Sequence, residues 1–241
     1  MAFYDPVESS FYSWCVERLL SCAQLSPYTA AGVAELGAGT GIPLLEAVGR
    51  SETSARVRGF ERDPDAFRSA RRLTELKGPV NYTVQFGDFF RYASGATERC
   101  AVANPPYLPG QPRRPGAPDL YGGARGAEVT RRLLGCSFDL VMVMVASISD
   151  PLGVLAEATR RGYRLVDWVT RPIRFGPYCR DPEVWRRIQS LAAAGQAFFH
   201  QEGYLLAGVT WIRDHSRAYP PGRDSVVLAQ VLSAGAVAVP A

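Results

Sequence analysis

The sequence contains little lysine, histidine and cysteine, and these shortages argue against several kinds of site before any motif is considered. Of its 27 basic residues only Lys77 is a lysine, and no three basic residues are consecutive. The net charge of +4 therefore points only weakly to a polyanionic partner. Five scattered cysteines without a CxxC pair, and two histidines, argue against a disulfide scaffold and a zinc site. We expect no metal and reduced, buried thiols.

No hydrophobic run in the sequence is long enough to cross a membrane. The longest apolar stretch, residues 138–148, is interrupted by Asp139 and Ser147, whereas a membrane span needs about 20 apolar residues. The first ten residues carry Asp5 and Glu8 where an export signal would carry basic residues. We therefore expect a cytoplasmic protein with no membrane partner.

Length and composition are those of an ordinary folded domain. The 241 residues are 47% apolar and 21% charged, which argues against disorder and against a fibrous protein. A single domain of residues 1–241 accounts for this length. Apolar spacings of three and four over residues 7–25 predict an amphipathic helix, and we expect residues 1–30 to form an N-terminal helical cap.

Strand-like and helix-like segments alternate along most of the chain. Seven strands are predicted, at residues 30–36, 56–61, 80–85, 100–103, 139–145, 163–170 and 203–213. Helices are predicted after Pro43 and at residues 64–77, 127–136, 151–161 and 182–194. This alternation predicts an α/β fold, a Rossmann-like, doubly wound, seven-stranded and mostly parallel sheet with helices on both faces.

A long loop follows the fourth predicted strand. Between Pro105 and Gly126, 11 of 22 residues are Pro or Gly, too many for a helix or a strand. A connection of that length in a compact domain is usually functional or disordered, and this one begins where a parallel strand ends. We expect it to be mobile without substrate and ordered with it.

The first strand ends in a glycine-rich turn, with Glu35 two residues before it. The turn reads Gly37-Ala38-Gly39-Thr40-Gly41. Backbone without side chains lets a ligand approach closely at the carboxyl end of a strand. A dinucleotide-binding turn would have a third glycine where Ile42 stands, and a turn that only packs a helix on a strand is the structural alternative.

Two further acidic residues follow the next two strands. Glu61 lies 24 residues after Gly37, close to the roughly 20-residue spacing at which an acid binds a ribose diol in such folds. Asp88 can accept a hydrogen bond from an adenine amine while Phe89 covers the ring, although alone it would be read as a turn residue. Three acids at successive strand ends therefore predict a nucleoside site.

The fourth strand ends in Asn104-Pro105-Pro106-Tyr107, and with this tetrapeptide the chain resembles a known family. Residues 32–134 resemble class I S-adenosylmethionine-dependent methyltransferases. The NPPY sequence is similar to the subgroup that methylates nitrogen in planar groups, which are adenine amines in DNA and RNA or the glutamine amide of peptide-chain release factors. The resemblance implies S-adenosylmethionine as the cofactor.

The resemblance also implies roles for individual residues. It implies that Glu35 binds the methionine part of the cofactor together with Gly37, Gly39 and Gly41. It implies that Glu61 binds the ribose, and that Asp88 and Phe89 bind the adenine. Asn104 lies at the cofactor as well as at the acceptor. The N-terminal Tyr4-Asp5-Pro6 is similar to the short motif that closes over the cofactor in this group.

The tetrapeptide suits the chemistry of such a transfer. A planar amide or amine nitrogen is a poor nucleophile because its lone pair is delocalised. The Asn104 side-chain oxygen and the Pro105 carbonyl can accept its N–H bonds as the nitrogen pyramidalises, and Tyr107 can stack on the planar group. No metal is required because the leaving group is already a sulfonium cation.

Two features depart from the related enzymes. The run Leu120 to Gly126 resembles the segment after NPPY in release-factor methyltransferases, yet only about 30 residues precede the glycine turn, too few for their substrate domain. Residues 171–201 form either a substrate cap or an ordinary packed excursion; their aromatic side chains and histidine are Tyr178, Trp185, Phe198, Phe199 and His200. We expect His200 and His215 to be solvated or structural.

The sequence therefore predicts a methyltransferase for a planar nitrogen in a small secondary metabolite such as a cyclic dipeptide. An indole carbon is another acceptor and would require a base, for which Asp119, Tyr121 and Glu128 are candidates. Methylation of a tRNA adenine or a release-factor glutamine is the second hypothesis, so a nucleic-acid partner is possible but not favoured. A nucleic-acid-binding module without catalysis is the third.

Overall fold

The computed structural model describes residues 5–111, 120–213 and 222–234. The strands in this part of the chain are β1 (Val33–Leu36), β2 (Val57–Glu61), β3 (Tyr82–Phe86), β4 (Cys100–Ala103), β5 (Leu108–Pro109), β6 (Tyr121–Gly123), β7 (Leu140–Ala146), β8 (Tyr163–Arg174) and β9 (Gly203–Arg213). Seven of them form one sheet in the order β3-β2-β1-β4-β7-β9-β8. The seven-stranded sheet predicted from the sequence is confirmed.

Parallel pairing brings the ends of neighbouring strands to the same edge of this sheet. β1 pairs in parallel with β2 and β4, β2 with β3, and β4 with β7, whereas β8 and β9 are antiparallel. Leu36 lies opposite Phe60 on one side and Ala103 on the other. The segments that follow β1, β2 and β4 therefore leave the sheet side by side. The mostly parallel α/β fold is confirmed.

Helices surround the sheet, and several begin at the caps that the sequence supplies. The helices are α1 (Pro6–Leu20), α2 (Ser26–Thr29), α3 (Ile42–Ser51), α4 (Pro64–Lys77), α5 (Phe89–Ala93), α6 (Glu128–Leu134), α7 (Pro151–Arg160), α8 (Pro182–Ala193) and α9 (Arg223–Ser233). At α4 the Asp63 carboxylate accepts the N–H of Ala66 at 2.7 Å, and Pro64 has no N–H that would need a partner. This is why the predicted bounds of α4 agree with the structure.

The two central strands β4 and β7 contain only apolar residues. All seven residues of β7 are buried, as expected for a parallel strand that is covered on both faces. Trp211 on β9 is the largest side chain among those that are almost completely buried. No helix within the described ranges is long and apolar enough to cross a membrane.

The helix predicted over residues 7–25 is wrong in its last part. α1 ends at Leu20, the backbone is extended at Cys22, and a 3-10 turn (Ala23–Leu25) leads into α2. Leu19 and Leu25 are both buried, so the apolar spacing continues across the break. The apolar pattern predicted which side chains are buried, and it did not predict the break in the helix.

The prediction that the Pro- and Gly-rich loop contains no strand is also wrong. β5 and β6 form a two-stranded parallel sheet, and the Leu108 N–H donates to the Leu120 carbonyl at 2.9 Å. Gly123 has a φ of 107°, a left-handed conformation that glycine adopts without strain. Residues 112–119 of this loop lie outside the described residues.

The sequence also missed elements near the end of the chain and after the third strand. β8 extends four residues beyond the predicted end at Thr170 and reaches Arg174, because its whole length pairs with β9. α5 begins at Phe89, directly after the third strand of the sheet, and α9 follows β9. Neither helix was predicted.

The described chain forms two compact units. The N-terminal unit comprises residues 5–105 and 136–143, and the C-terminal unit comprises residues 106–111, 120–135, 144–213 and 222–234. The glycine turn, the three strand-end acids and Asn104 belong to the N-terminal unit. Tyr107 and the excursion at residues 171–201 belong to the C-terminal unit.

Candidate active site

The glycine turn of the N-terminal unit has a backbone that other residues adopt only under strain. Gly37, Gly39 and Gly41 have φ values of 75°, 57° and 75°. A Cβ on Gly41 would lie 3.1 Å from the Cβ of Ala70, so this glycine lets α4 approach closely. A Cβ on Gly37 or Gly39 would meet no atom of the described residues within 4 Å. The first two glycines therefore face open space, where a ligand can reach the backbone.

Glu61 at the end of β2 holds this turn in place. Its side chain is 8% exposed, and its Oε2 accepts the N–H of Gly39 at 2.8 Å. Its Oε1 accepts the N–H of Asp63 at 2.8 Å, directly before α4. The carboxylate thus joins the predicted ribose position to the glycine turn, and each oxygen keeps a further lone pair for a hydroxyl donor.

Asp88 lies after β3 and is half-buried. Its Oδ1 accepts the N–H of Phe90 at 2.8 Å and caps α5. Asp88 therefore has a structural role at the turn between β3 and α5. The Phe89 ring is 2% exposed and packs against Phe60 and Phe138, each at 5.8 Å between ring centroids. Its predicted contact with adenine stays a prediction, and the neighbouring Phe90 ring is only half-buried.

Glu35 occupies a closed position inside the N-terminal unit. It is 1% exposed, and its two oxygens accept hydrogen bonds from the hydroxyls of Tyr12 at 3.3 Å and Tyr82 at 3.1 Å. A Cβ on Gly59 would lie 2.8 Å from the Glu35 carboxylate, so the absence of a side chain at Gly59 makes room for it. Burial raises the pKa of Glu35 from 4.5 to about 8, although the tyrosine hydrogen bonds oppose the increase.

This buried acid should make folding stability fall as pH rises. The folded protein keeps the Glu35 proton between pH 4.5 and about 8, whereas the unfolded chain has lost it. Each pH unit in that window should cost about 1.4 kcal/mol through this group. We expect Glu35→Gln to remove this part of the slope when urea unfolding is measured at about pH 6 and about pH 7.5. Identical slopes in the two proteins would contradict a neutral Glu35.

Asn104 lies directly after β4, beside the strand that carries the glycine turn. Its side-chain oxygen is buried, and no residue in the described part of the chain offers it a hydrogen bond. A buried acceptor without a partner costs about 1 to 3 kcal/mol, so such groups are rare unless a ligand completes them. Asn104 Oδ1 is therefore a preformed acceptor for an N–H group.

In the C-terminal unit, Tyr107 begins a row of five aromatic rings. The Tyr107 and Tyr204 hydroxyls are 2.6 Å apart, and the Phe175 ring lies 5.5 Å from Tyr204 between centroids. Phe175 also contacts Trp185 at 5.1 Å and Phe199 at 5.7 Å. We call this set the aromatic row: Tyr107, Tyr204, Phe175, Phe199 and Trp185. It connects the NPPY tyrosine to the excursion at residues 171–201.

The candidate bases are largely committed to other contacts. The Glu128 carboxylate accepts the backbone N–H groups of Arg125 and Ala127, each at 3.1 Å at the closest oxygen. Tyr121 lines a small groove with Gly110 and Arg187. Asp119 lies outside the described residues. Glu128 therefore has a structural role at the start of α6, and its role as a base stays a prediction.

The remaining predicted residues have the following positions. Tyr4 and His215 lie outside the described residues, while Asp5 caps α1 by accepting the N–H groups of Val7 and Glu8. His200 is exposed, and its backbone pairs with Gly203. Within the described ranges no cluster of three or more histidine, cysteine or acidic side chains could hold a metal ion.

The chain matches no protein-family model and no curated protein sequence. Solved structures do resemble it. A Pyrococcus horikoshii protein provisionally named an RNA methyltransferase has 16% identity and a TM-score of 0.53, with 88% of this chain and 86% of that chain covered. The fold is that of class I methyltransferases.

Two further structures show how widely this fold is used. A Galdieria sulphuraria protein provisionally named a sarcosine dimethylglycine methyltransferase has 12% identity and a TM-score of 0.51, covering 90% of this chain and 92% of that chain. The cyclase SpnF has 14% identity and a TM-score of 0.50, covering 89% and 82%. Because a cyclase shares the fold, the reaction must be argued from the residues of the site.

Sequence patterns did not predict three residues of the candidate site. Gly59 makes room for Glu35, Tyr204 contacts the Tyr107 hydroxyl, and Ser149 donates to the Tyr107 carbonyl. Only Gly59 left a local signal, because a glycine inside a strand indicates a close approach of other atoms. The partners of Tyr107 are 97 and 42 residues away in the chain, and no spacing rule connects them.

Proposed function

We propose that this protein transfers a methyl group from S-adenosylmethionine to a planar nitrogen. The single observation that carries the proposal is the buried Oδ1 of Asn104, directly after β4, which has no hydrogen-bond partner among the described residues. This oxygen can accept a hydrogen bond from an N–H group of the molecule that is methylated, and it can thereby favour the pyramidal nitrogen of the transition state. The NPPY sequence around it is the pattern expected for this chemistry.

The residues present fit the cofactor. No described atom lies within 4 Å of a Cβ built on Gly37 or Gly39, Glu61 keeps lone pairs for the proposed ribose hydroxyls, and Asp88 is the proposed acceptor for the adenine amine. Tyr4 and Phe89 remain proposed contacts. When bound, S-adenosylmethionine supplies an activated methyl group, and the protein's part is to bind it, orient the acceptor and exclude water.

Nitrogen is a better proposed acceptor than an indole carbon. Carbon methylation needs a base to remove the ring proton, and the Glu128 carboxylate is engaged by two backbone N–H groups. Nitrogen methylation needs hydrogen-bond acceptors, which Asn104 Oδ1 and the Pro105 carbonyl provide; the methylated nitrogen is then cationic and loses its proton to solvent. Tyr107 follows in the chain as the proposed stacking residue for the planar group.

A small, peptide-derived secondary metabolite such as a cyclic dipeptide is the proposed acceptor. The aromatic row offers apolar ring surface, with Trp185 and Phe199 half-buried. Such surface binds a compact planar molecule through burial and stacking. Residues 171–201 then act as a substrate cap.

A macromolecular acceptor is the second candidate. Residues 171–201 contain five arginines against two acidic residues, and a structure of similar fold is provisionally named an RNA methyltransferase. Arginines beside aromatic rings are typical of single-stranded RNA binding. The acceptor would then be a tRNA adenine, with a release-factor glutamine as the protein equivalent.

Two measurements distinguish a small-molecule acceptor from a macromolecular one: the distribution of a methyl label and the salt dependence of acceptor binding. With methyl-labelled S-adenosylmethionine, we expect label in the small-molecule fraction of a cell extract and little in tRNA or release factor. The Michaelis constant for the acceptor should change little between about 50 and about 200 mM salt. An acceptor bound through about 6 to 10 phosphates would instead lose roughly a thousandfold in affinity. That loss, with label in tRNA, would contradict the small-molecule proposal.

A further inference from the structure

Tyr107 is held at its hydroxyl by a second tyrosine. The Tyr107 and Tyr204 oxygens are 2.6 Å apart, so one hydroxyl donates to the other in a short hydrogen bond. Tyr204 is 4% exposed at the start of β9, and its ring lies 6.1 Å from that of Tyr107 at 62°. The half-buried Tyr107 ring is therefore fixed at its outer end by a buried partner.

The backbone of Tyr107 is held at the opposite end. The Ser149 hydroxyl donates to the Tyr107 carbonyl, and Ser149 is 3% exposed. A Cβ on Gly126 would lie 2.1 Å from the same carbonyl oxygen. Gly126 has a φ of 78°, so both conformation and space require glycine there. The Leu120 to Gly126 run thus packs directly on the backbone that follows Asn104 and Pro105.

The position of Ser149 is itself fixed by its neighbour in the chain. Asp150 is 4% exposed and has a φ of 49°, which is strained for a residue other than glycine. Its carboxylate forms ion pairs with Arg131 and Arg125 and accepts the N–H of Gly153 at 3.2 Å. These contacts stabilise the strained backbone directly after the serine.

The same short segment also holds the partner tyrosine. The Ser147 hydroxyl donates to the Phe198 carbonyl at 2.6 Å and accepts the N–H of Leu205 at 3.0 Å. Leu205 follows Tyr204 immediately. Residues 147–149 therefore connect the end of the 171–201 excursion, the start of β9 and the backbone of Tyr107.

We propose that Ser149 and Tyr204 are positioning residues that hold the Tyr107 backbone and side chain in position before the acceptor binds. The inference rests on the proposed function, in which Tyr107 stacks on the planar group of the acceptor. A mobile side chain would have to be ordered during binding, whereas Tyr107 is already held at its hydroxyl and at its backbone carbonyl. Neither residue touches the acceptor; each acts through Tyr107.

The test uses the full chain with S-adenosylhomocysteine bound and its tyrosine rings labelled with carbon-13. The Tyr107 ring signal is identified by its loss in Tyr107→Phe. We expect Tyr204→Phe and Ser149→Ala each to shift or broaden that signal. The matched control is Tyr163→Phe, which removes another buried hydroxyl of the same unit, one that accepts from Arg213 at 2.9 Å. It should leave the Tyr107 signal unchanged.

Kinetics provide the second readout. Tyr107→Phe, Tyr204→Phe and the double variant should each lower kcat/KM for the acceptor about fivefold to tenfold, with no additivity, because all three remove the same hydrogen bond. Additive losses, or a Tyr107 signal that ignores both Tyr204→Phe and Ser149→Ala, would overturn the inference. If methyl transfer itself is absent, the proposed function fails, while the carbon-13 spectra still decide whether Tyr107 is held.

Discussion

Replacing Asn104 with alanine should lower methyl transfer on the order of a hundredfold while affinity for S-adenosylmethionine stays within a few-fold. The side-chain oxygen has no partner in the described part of the chain, so its full hydrogen-bonding capacity is available to the reacting nitrogen. Its contribution is largest in the transition state, as for donors that stabilise an oxyanion. Label transfer and calorimetric titration measure the two quantities separately.

Replacing a hydrogen-bonded residue usually lowers the free energy of unfolding. Asn104→Ala should not show this loss relative to the parent. The change breaks no hydrogen bond between the Asn104 side-chain oxygen and the described residues, and it removes a buried acceptor that lacks a partner among them. Asn81→Ala is the matched control, since the Asn81 amide donates to the carbonyls of Thr53 at 2.8 Å and Ala55 at 2.9 Å. That control should lose about 1 to 3 kcal/mol of stability and keep the chemistry. A rate for Asn104→Ala within a few-fold of the parent would exclude the proposed mechanism.

Gly39→Val should abolish cofactor binding, with an affinity loss of at least about a hundredfold. Gly39 has a φ of 57°, and its missing side chain would project into space where the described structure has no atom within 4 Å. A valine there would occupy the position from which a ligand meets the backbone. Its left-handed conformation should also cost about 1 to 2 kcal/mol of stability.

A second glycine separates these two effects. Gly195, which follows α8 in the C-terminal unit, has a φ of 69°, and no atom of the described residues lies within 4 Å of its missing Cβ. Gly195→Val should therefore lose a similar amount of stability and bind the cofactor normally. Calorimetry on both variants decides the matter, and equal affinity in Gly39→Val and the parent would remove the glycine turn from the cofactor site.

Local patterns were sufficient to predict the sheet and the strand-end acids. The bounds of β4 and β9 agree with the structure because continuous apolar runs end at clear polar or glycine boundaries. Asp63 and Pro64 located the start of α4. Glu61, Asp88 and Asn104 were found because each stands at the end of a strand or within two residues after it, which is a property of sequence order.

The environment of those residues could not be predicted in the same way. Glu35 was expected at the cofactor, and its burial between Tyr12 and Tyr82 depends on contacts across 23 and 47 residues. β5 and β6 form within a segment rich in Pro and Gly because residues 108–109 pair with residues 121–123 in the folded chain. Tertiary contacts of this kind override local propensity.

Equilibrium binding of methyl-labelled S-adenosylmethionine to the purified chain tests the central claim most directly, since it needs no knowledge of the acceptor. The account predicts one molecule bound per chain, displaced by S-adenosylhomocysteine and not by NAD, because Ile42 replaces the third glycine of a dinucleotide turn. Absence of binding, or displacement by NAD as readily as by S-adenosylhomocysteine, would contradict it.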